Sequence, residues 1–273
     1  MIKLLTKRIK DPTALTKKLL YVLAALTVVL AICLILLMIL GPRDIFREKA
    51  APTLEFDLSE RDATLGSSLD YGAHYIESTV FLGDYTTTHL LDHNLLPVDG
   101  AAQQVWSGET GDMALDANIK NASIYLEESD SCKPLSLLLA ERRPERIIVT
   151  LGINNGVSYC NEDAFCDYYQ SLIDLIRESS PDTIIILQSI YPVTKSAQKN
   201  NPAISNDRIN QANEWICDLA EKNDVHFLYS ASILMDTNGC LDPEYAEDDG
   251  INLNYAGYKA ILKYIRTHGT YEK

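Results

Sequence analysis

The chain has 273 residues, with 24 basic and 38 acidic side chains and a net charge of −14. So acidic a composition excludes nucleic acid as a partner, because phosphate backbones are held by clustered Lys and Arg. The chain holds six cysteines and is long enough for one domain with a full-sized core.

The first 18 residues carry Lys3, Lys7, Arg8, Lys10, Lys17 and Lys18 against the single acid Asp11. Residues 19–41, LLYVLAALTVVLAICLILLMILG, contain no charge and are long enough to cross a hydrocarbon core of about 30 Å. The positive-inside rule then predicts a cytoplasmic tail over 1–18, a retained transmembrane helix over 19–41 and everything beyond it outside the cytoplasm. A cleaved signal peptide fits less well, since its apolar region runs to about 7–15 residues and no A-x-A site follows here. Beyond the span the chain is near −19, a charge that serves solubility and opposes anionic lipid. Cys132, Cys160, Cys166, Cys217 and Cys240 lie in this part, and their spacing fits no zinc pattern, so no metal or other cofactor is expected. In an oxidising compartment an odd count leaves at least one thiol outside any intrachain pair, and Cys160 with Cys166 is the nearest pairing.

Residues 42–70 are mixed and charged, without sustained apolar periodicity, and predict a loose juxtamembrane stalk. From residue 71 to 273 the pattern is that of one domain. Apolar, β-branched runs at 79–82, 104–106, 147–151, 183–187 and 225–228 predict buried strands. Helical patterns lie between and after them, at 134–143, 162–179, 207–223 and 255–268, the last preceded by Asn254 as a cap. Strands alternating with helices predict an α/β fold, a three-layer α/β/α sandwich around a parallel sheet. Ligands of such folds bind beyond the carboxyl ends of the strands, so the loops there carry the functional information.

Those loops read Gly83-Asp84-Tyr85-Thr86-Thr87, Ser107-Gly108-Glu109-Thr110, Gly152-Ile153-Asn154-Asn155-Gly156 and, before the last helix, Asp248-Asp249-Gly250-Ile251-Asn252-Leu253-Asn254. In this order they resemble the SGNH (GDSL) hydrolases over nearly all of residues 76–268. The resemblance implies a flavodoxin-like sandwich and ester or acyl hydrolysis by a serine in the Gly-Asp-Ser turn with a C-terminal Asp-x-x-His pair. It also implies an oxyanion hole made by the nucleophile's own N–H, by Gly108 and by Asn154. Against that pattern, Tyr85 stands at the serine position, Asn252 at the histidine position and Asn155 at the usual aspartate, while Asp249 matches the orienting acid.

A hydroxyl attacks only when a neighbouring base takes its proton, and an amide has no basic nitrogen. The expectation is therefore a membrane-anchored, extracytoplasmic pseudoenzyme whose pocket binds an acylated or glycan ligand of the cell envelope. Asn252 is expected to donate its amide to Asp249 and keep the loop's shape without its chemistry. Two other readings stay open. One is an active cell-surface esterase or O-deacetylase with an unusual nucleophile, either Tyr85 or one of Thr86, Thr87 and Thr88 served by His89. The other is a scaffold for an unknown protein partner.

Overall fold

A computed structural model describes Tyr21 and residues 25–30, 56–96 and 104–273. The chain divides into two units, 1–51 and 52–273. In the first, Tyr21 and residues 25–30 are helical and exposed. The basic tail, the rest of the expected 19–41 span and the stalk up to residue 55 lie outside the described residues. Among the described residues no helix is long and apolar enough to cross a membrane.

The second unit is built on a five-stranded sheet. Its strands are β1 (Thr79–Gly83), β2 (Val105–Trp106), β5 (Arg146–Thr150), β6 (Ile184–Gln188) and β7 (His226–Leu228), in the order β2-β1-β5-β6-β7 and all parallel. Every residue of β1, β5 and β6 is buried, so these strands read as unbroken apolar runs rather than alternating ones. Alternate side chains enter two separate cores. Val80, Leu82, Ile147, Val149, Ile185 and Leu187 face one side, and Phe81, Ile148, Ile184 and Ile186 the other.

Helices cover both faces. The first core is closed by α3 (Leu135–Arg142), α5 (Glu162–Ser179) and α7 (Asn206–Asn223). In α5 the residues Phe165, Tyr169, Leu172, Ile173 and Ile176 form one apolar stripe, and Asn161 caps its start by accepting from the Ala164 N–H at 3.0 Å. The second core is closed by α1 (Gly72–Glu77), α2 (Tyr85–Asp92) and α8 (Tyr255–Thr267). Asn254 caps α8 through the Gly257 N–H, as its position predicts. Two shorter helices, α4 (Gly156–Tyr159) and α6 (Lys195–Asn200), lie in loops.

Helices α1, α2, α4 and α6 are not predicted from the sequence, and three further features differ from its expectation. A two-stranded antiparallel hairpin, β3 (Ser123–Leu126) with β4 (Ser131–Pro134), precedes α3; β4 has no apolar run and left no signal. Residues 56–70, expected as the end of a loose stalk, dock on the domain instead. Leu58 is buried, and the Leu65 N–H and Ala63 C=O pair with the two sides of Phe227, which adds a bridge at the β7 edge. Arg61 fixes this segment through Asp218 and Glu221 on α7. Finally, Cys160 and Cys166 are not joined; all five cysteines beyond the expected span are free thiols. The Cys160 thiol turns toward the Asn155 carbonyl, while Cys166 lies on α5 among the charges of Glu162 and Asp218.

Candidate functional site

The turn after β1 is set by two residues. A Cβ at Gly83 would lie 2.0 Å from Thr87 Oγ1 and 2.4 Å from the Thr150 carbonyl, so no larger residue fits there. Asp84 then stands in extended conformation as the N-cap of α2. Its buried carboxylate accepts from the Thr86 N–H at 3.1 Å and the Thr86 hydroxyl at 2.7 Å. The backbone N–H groups of Gly152 and Asn154, in the loop after β5, donate to the same carboxylate. One carboxylate thus clamps the β1 loop to the β5 loop. Burial raises its pKa to about 6 against the hydrogen bonds that oppose the rise.

Tyr85, the first residue of α2, is half-buried and packs on the first core. Burial pushes its phenol well above the ordinary range, and the nearby charges of Asp84, Asp249 and Asp112 push it further. Gly108 follows β2, and its backbone is so close to the Asp112 carbonyl that a Cβ would approach it to 2.5 Å. The Asn154 side-chain amide donates to the Asp112 carboxylate. At the far end of the chain, Asp249 accepts from the N–H groups of Ile251 and Asn252 at 2.8 and 2.9 Å, and from the Asn252 amide at 2.6 Å. Burial would raise the Asp249 pKa, but these three donors outweigh it and hold it below the usual value. Asn252 is 7% exposed, and its Oδ1 is buried without a hydrogen-bond partner.

Tyr85, Gly108, Asn154, Asp249 and Asn252 therefore lie at one edge of the sheet, linked through Asp112 and Asp249. Asp112 is the residue the sequence reading passed over. It sits four positions after Gly108 in a turn with no distinguishing spacing, and only the fold reveals that it faces Asn154. A cavity of about 340 Å³ opens beside this edge, lined by Thr88, His89, Ser107, Gly108, Glu109 and Tyr125 among others.

Each of the five histidines has a partner, and of them His89 lies close enough to the site to help lower the Asp249 pKa. His74 faces Glu77, His89 faces Asp92 at 3.3 Å, His93 meets the Leu253 carbonyl and Glu247, His226 the Glu272 carbonyl, and His268 the Tyr264 carbonyl. The Thr86 hydroxyl is committed to Asp84, and that of Thr88 to the carbonyls of Tyr85 and Gly111. Thr87 Oγ1 is buried against Gly83 without a partner.

A parallel sheet with this strand order and helices on both faces, with candidate residues gathered at its carboxyl edge, defines an α/β protein of the flavodoxin-like type. Residues 71–260 match the GDSL-like lipase/acylhydrolase family, and the chain belongs to that family. Among solved structures, one from Streptococcus pneumonia, provisionally described as a platelet activating factor, is 20% identical. That alignment covers 71% of this chain and 87% of the other, with a TM-score of 0.52, and supports the fold. A GDSL-like lipase from Bacteroides thetaiotaomicron is 18% identical over 71% of this chain and 87% of its own, with a TM-score of 0.48. No curated protein matches the chain.

The clamp gives the domain a pH signature. Asp84 binds its proton near pH 6 when folded, against 3.8 for an unperturbed aspartate, so the folded state holds more protons between those values. Its contribution is fully present below pH 4 and is lost as pH rises through 6. By this group alone, stability measured by denaturant unfolding is expected to fall by about 2 kcal/mol from pH 4 to 7. Asp84→Asn is expected to flatten that part of the profile; an unchanged slope would show that Asp84 ionises normally.

Proposed function

We propose that this protein is a membrane-anchored, extracytoplasmic member of its family that has lost ester hydrolysis and binds an acylated or glycan ligand of the cell envelope. The observation that carries this reading is the bond from Asn154 to Asp112. In the family pattern Asn154 would donate to a developing oxyanion. Here its amide is taken by a carboxylate, which would repel the negative charge that acyl transfer builds up. The chemistry fails at two further points. Tyr85 fills the nucleophile position with a half-buried phenol whose proton is harder to remove than usual. Asn252 reproduces the hydrogen bond of an orienting pair but cannot accept a proton.

The alternative of an unusual nucleophile finds no support in the surroundings of the threonines. A base must lie within hydrogen-bond reach, and the Thr86 and Thr88 hydroxyls are bonded to the Asp84 carboxylate and to the carbonyls of Tyr85 and Gly111, not to a histidine. The cavity beside Gly108 leaves room for a ligand without requiring turnover. Anchoring rests on the charge-free run 19–41 and the six basic residues before it.

Two measurements test this reading. The full chain is expected to show no turnover of small acyl esters and no labelling by fluorophosphonates, which react with activated serines; turnover abolished by Tyr85→Phe or a Thr86 substitution would overturn it. Protease added to intact cells is expected to remove the domain and leave a membrane-bound stub. Digestion only after permeabilisation would reverse the orientation.

A further inference from the structure

On the flank of the same sheet edge, next to Asn154, two cavities of about 520 and 440 Å³ adjoin and share the wall formed by Tyr159, Cys160 and Asn161. The larger is lined further by Asp116, Asn155 and Tyr168, the smaller by Arg208, Gln211 and Trp215. None of these residues belongs to the site around Tyr85.

Tyr159 is 82% exposed at the boundary between the two cavities, an aromatic ring left in water where neither core needs it. It is presented by α4, a single turn that begins at Asn155. Asn155 holds φ at +63°, a left-handed conformation that is unfavourable for a non-glycine residue. Its side chain makes no capping bond, so its amide is left to the cavity rather than spent on the helix. Across the wall, Arg208 is fixed by two hydrogen bonds to the Val157 carbonyl, at 2.9 and 2.7 Å, which tie α7 to α4. The cleft is thus shaped by the fold and not by side chains free to collapse into it.

Its lining is chemically distinctive. Three aromatic side chains, Tyr159, Tyr168 and Trp215, line it together with the amides of Asn155 and Gln211 and with Asn161, whose Oδ1 caps α5. Aromatic faces accept the C–H faces of sugar rings, and planar amides donate to and accept from paired hydroxyls. An anionic chain is disfavoured by Asp116 and Glu162 at the cleft and by the strongly acidic surface. We propose that this cleft binds an uncharged oligosaccharide, with one ring against Tyr159 and the chain extending toward Trp215 on one side and Asn155 on the other. The inference deepens the glycan reading above and rests on it: the saccharide is held on the flank, and any acyl substituent reaches the Tyr85 edge past Asn154.

Tryptophan fluorescence reports the cleft directly, because Trp215 lines it while Trp106 is buried in the core. The full chain, held in a detergent without a sugar headgroup, would be titrated with cellotetraose and with O-acetylated cellotetraose. Saturable quenching or enhancement by both is expected, and Tyr159→Ala is expected to weaken both about tenfold or more. Tyr159 is so exposed that this change should leave thermal unfolding in place, while Leu137→Ala, at an exposed residue of α3, should leave the affinity for cellotetraose within about twofold. Binding of only the acetylated sugar, sensitive to Tyr85→Ala and indifferent to Tyr159→Ala, would overturn the cleft and leave the proposed function standing. No response to either sugar into the millimolar range would overturn the cleft and remove glycans from the proposed function together.

Discussion

The carboxylate of Asp84 is the constraint on which the edge of this molecule depends. It lies between the end of β1 and the loop after β5, and it accepts from the start of α2 and from two backbone N–H groups of that loop. Burying a carboxylate is costly unless it is hydrogen-bonded, and four donors converge on this one. The result is a fixed spatial relation between Tyr85, which follows Asp84 in sequence, and Asn154, which donates to it through its backbone. Gly83 permits the close approach, since any side chain there would enter Thr87 and the Thr150 carbonyl.

Around that frame the electrostatics run opposite to what acyl transfer requires. Hydrolases of this shape aim donors at a point where negative charge develops. Here Asp84, Asp112 and Asp249 all raise the pKa of Tyr85, and Asn154 already serves Asp112. The scaffold of the pocket and the loop geometry at Asp249 and Asn252 persist independently of the chemistry. The amide of Asn252 makes the bond that an imidazole N–H would make, and its unpartnered Oδ1 marks where the second ring nitrogen's role has no successor.

The sheet and its covering helices α3, α5, α7 and α8 were legible because burial writes itself into sequence, whereas α1 and α2 were not predicted. Strands covered on both faces appear as β-branched runs, and α5 appears complete from cap to last turn because Asn161, Glu162 and Asp163 announce its start and its apolar stripe continues to Ile176. The positions of Tyr85, Gly108 and Asn154 were legible as motifs at strand ends, and those of Asp249 and Asn252 as a motif before the last helix. Other features depend on tertiary pairing. The β3 and β4 hairpin has exposed Ser, Cys and Pro and a half-buried Lys in its second strand. Residues 56–70 contribute too few apolar side chains to show a period, yet Leu58 and the backbone at Ala63 and Leu65 complete an edge of the sheet. Asp112 is one acid among many in the sequence, and only its approach to Asn154 distinguishes it. The aromatic cleft joins residues from α4, α5 and α7, which no local pattern connects.

If hydrolysis is lost as proposed, and through these few groups and not the scaffold, the loss should be reversible. The direct measurement is the hydrolysis of a small acetyl ester by four forms of the chain: native, Tyr85→Ser alone, Tyr85→Ser with Asn252→His, and that pair with Asp112→Ala. Nucleophile and base act as a unit, so the single change should do little and the pair should give measurable turnover. Removing the Asp112 carboxylate frees the Asn154 amide, and a donor regained at an oxyanion is worth on the order of 10²-fold. The expected order is therefore native and single variant inert, the pair active, the triple variant faster. Native turnover equal to or above that of the triple variant would contradict the account.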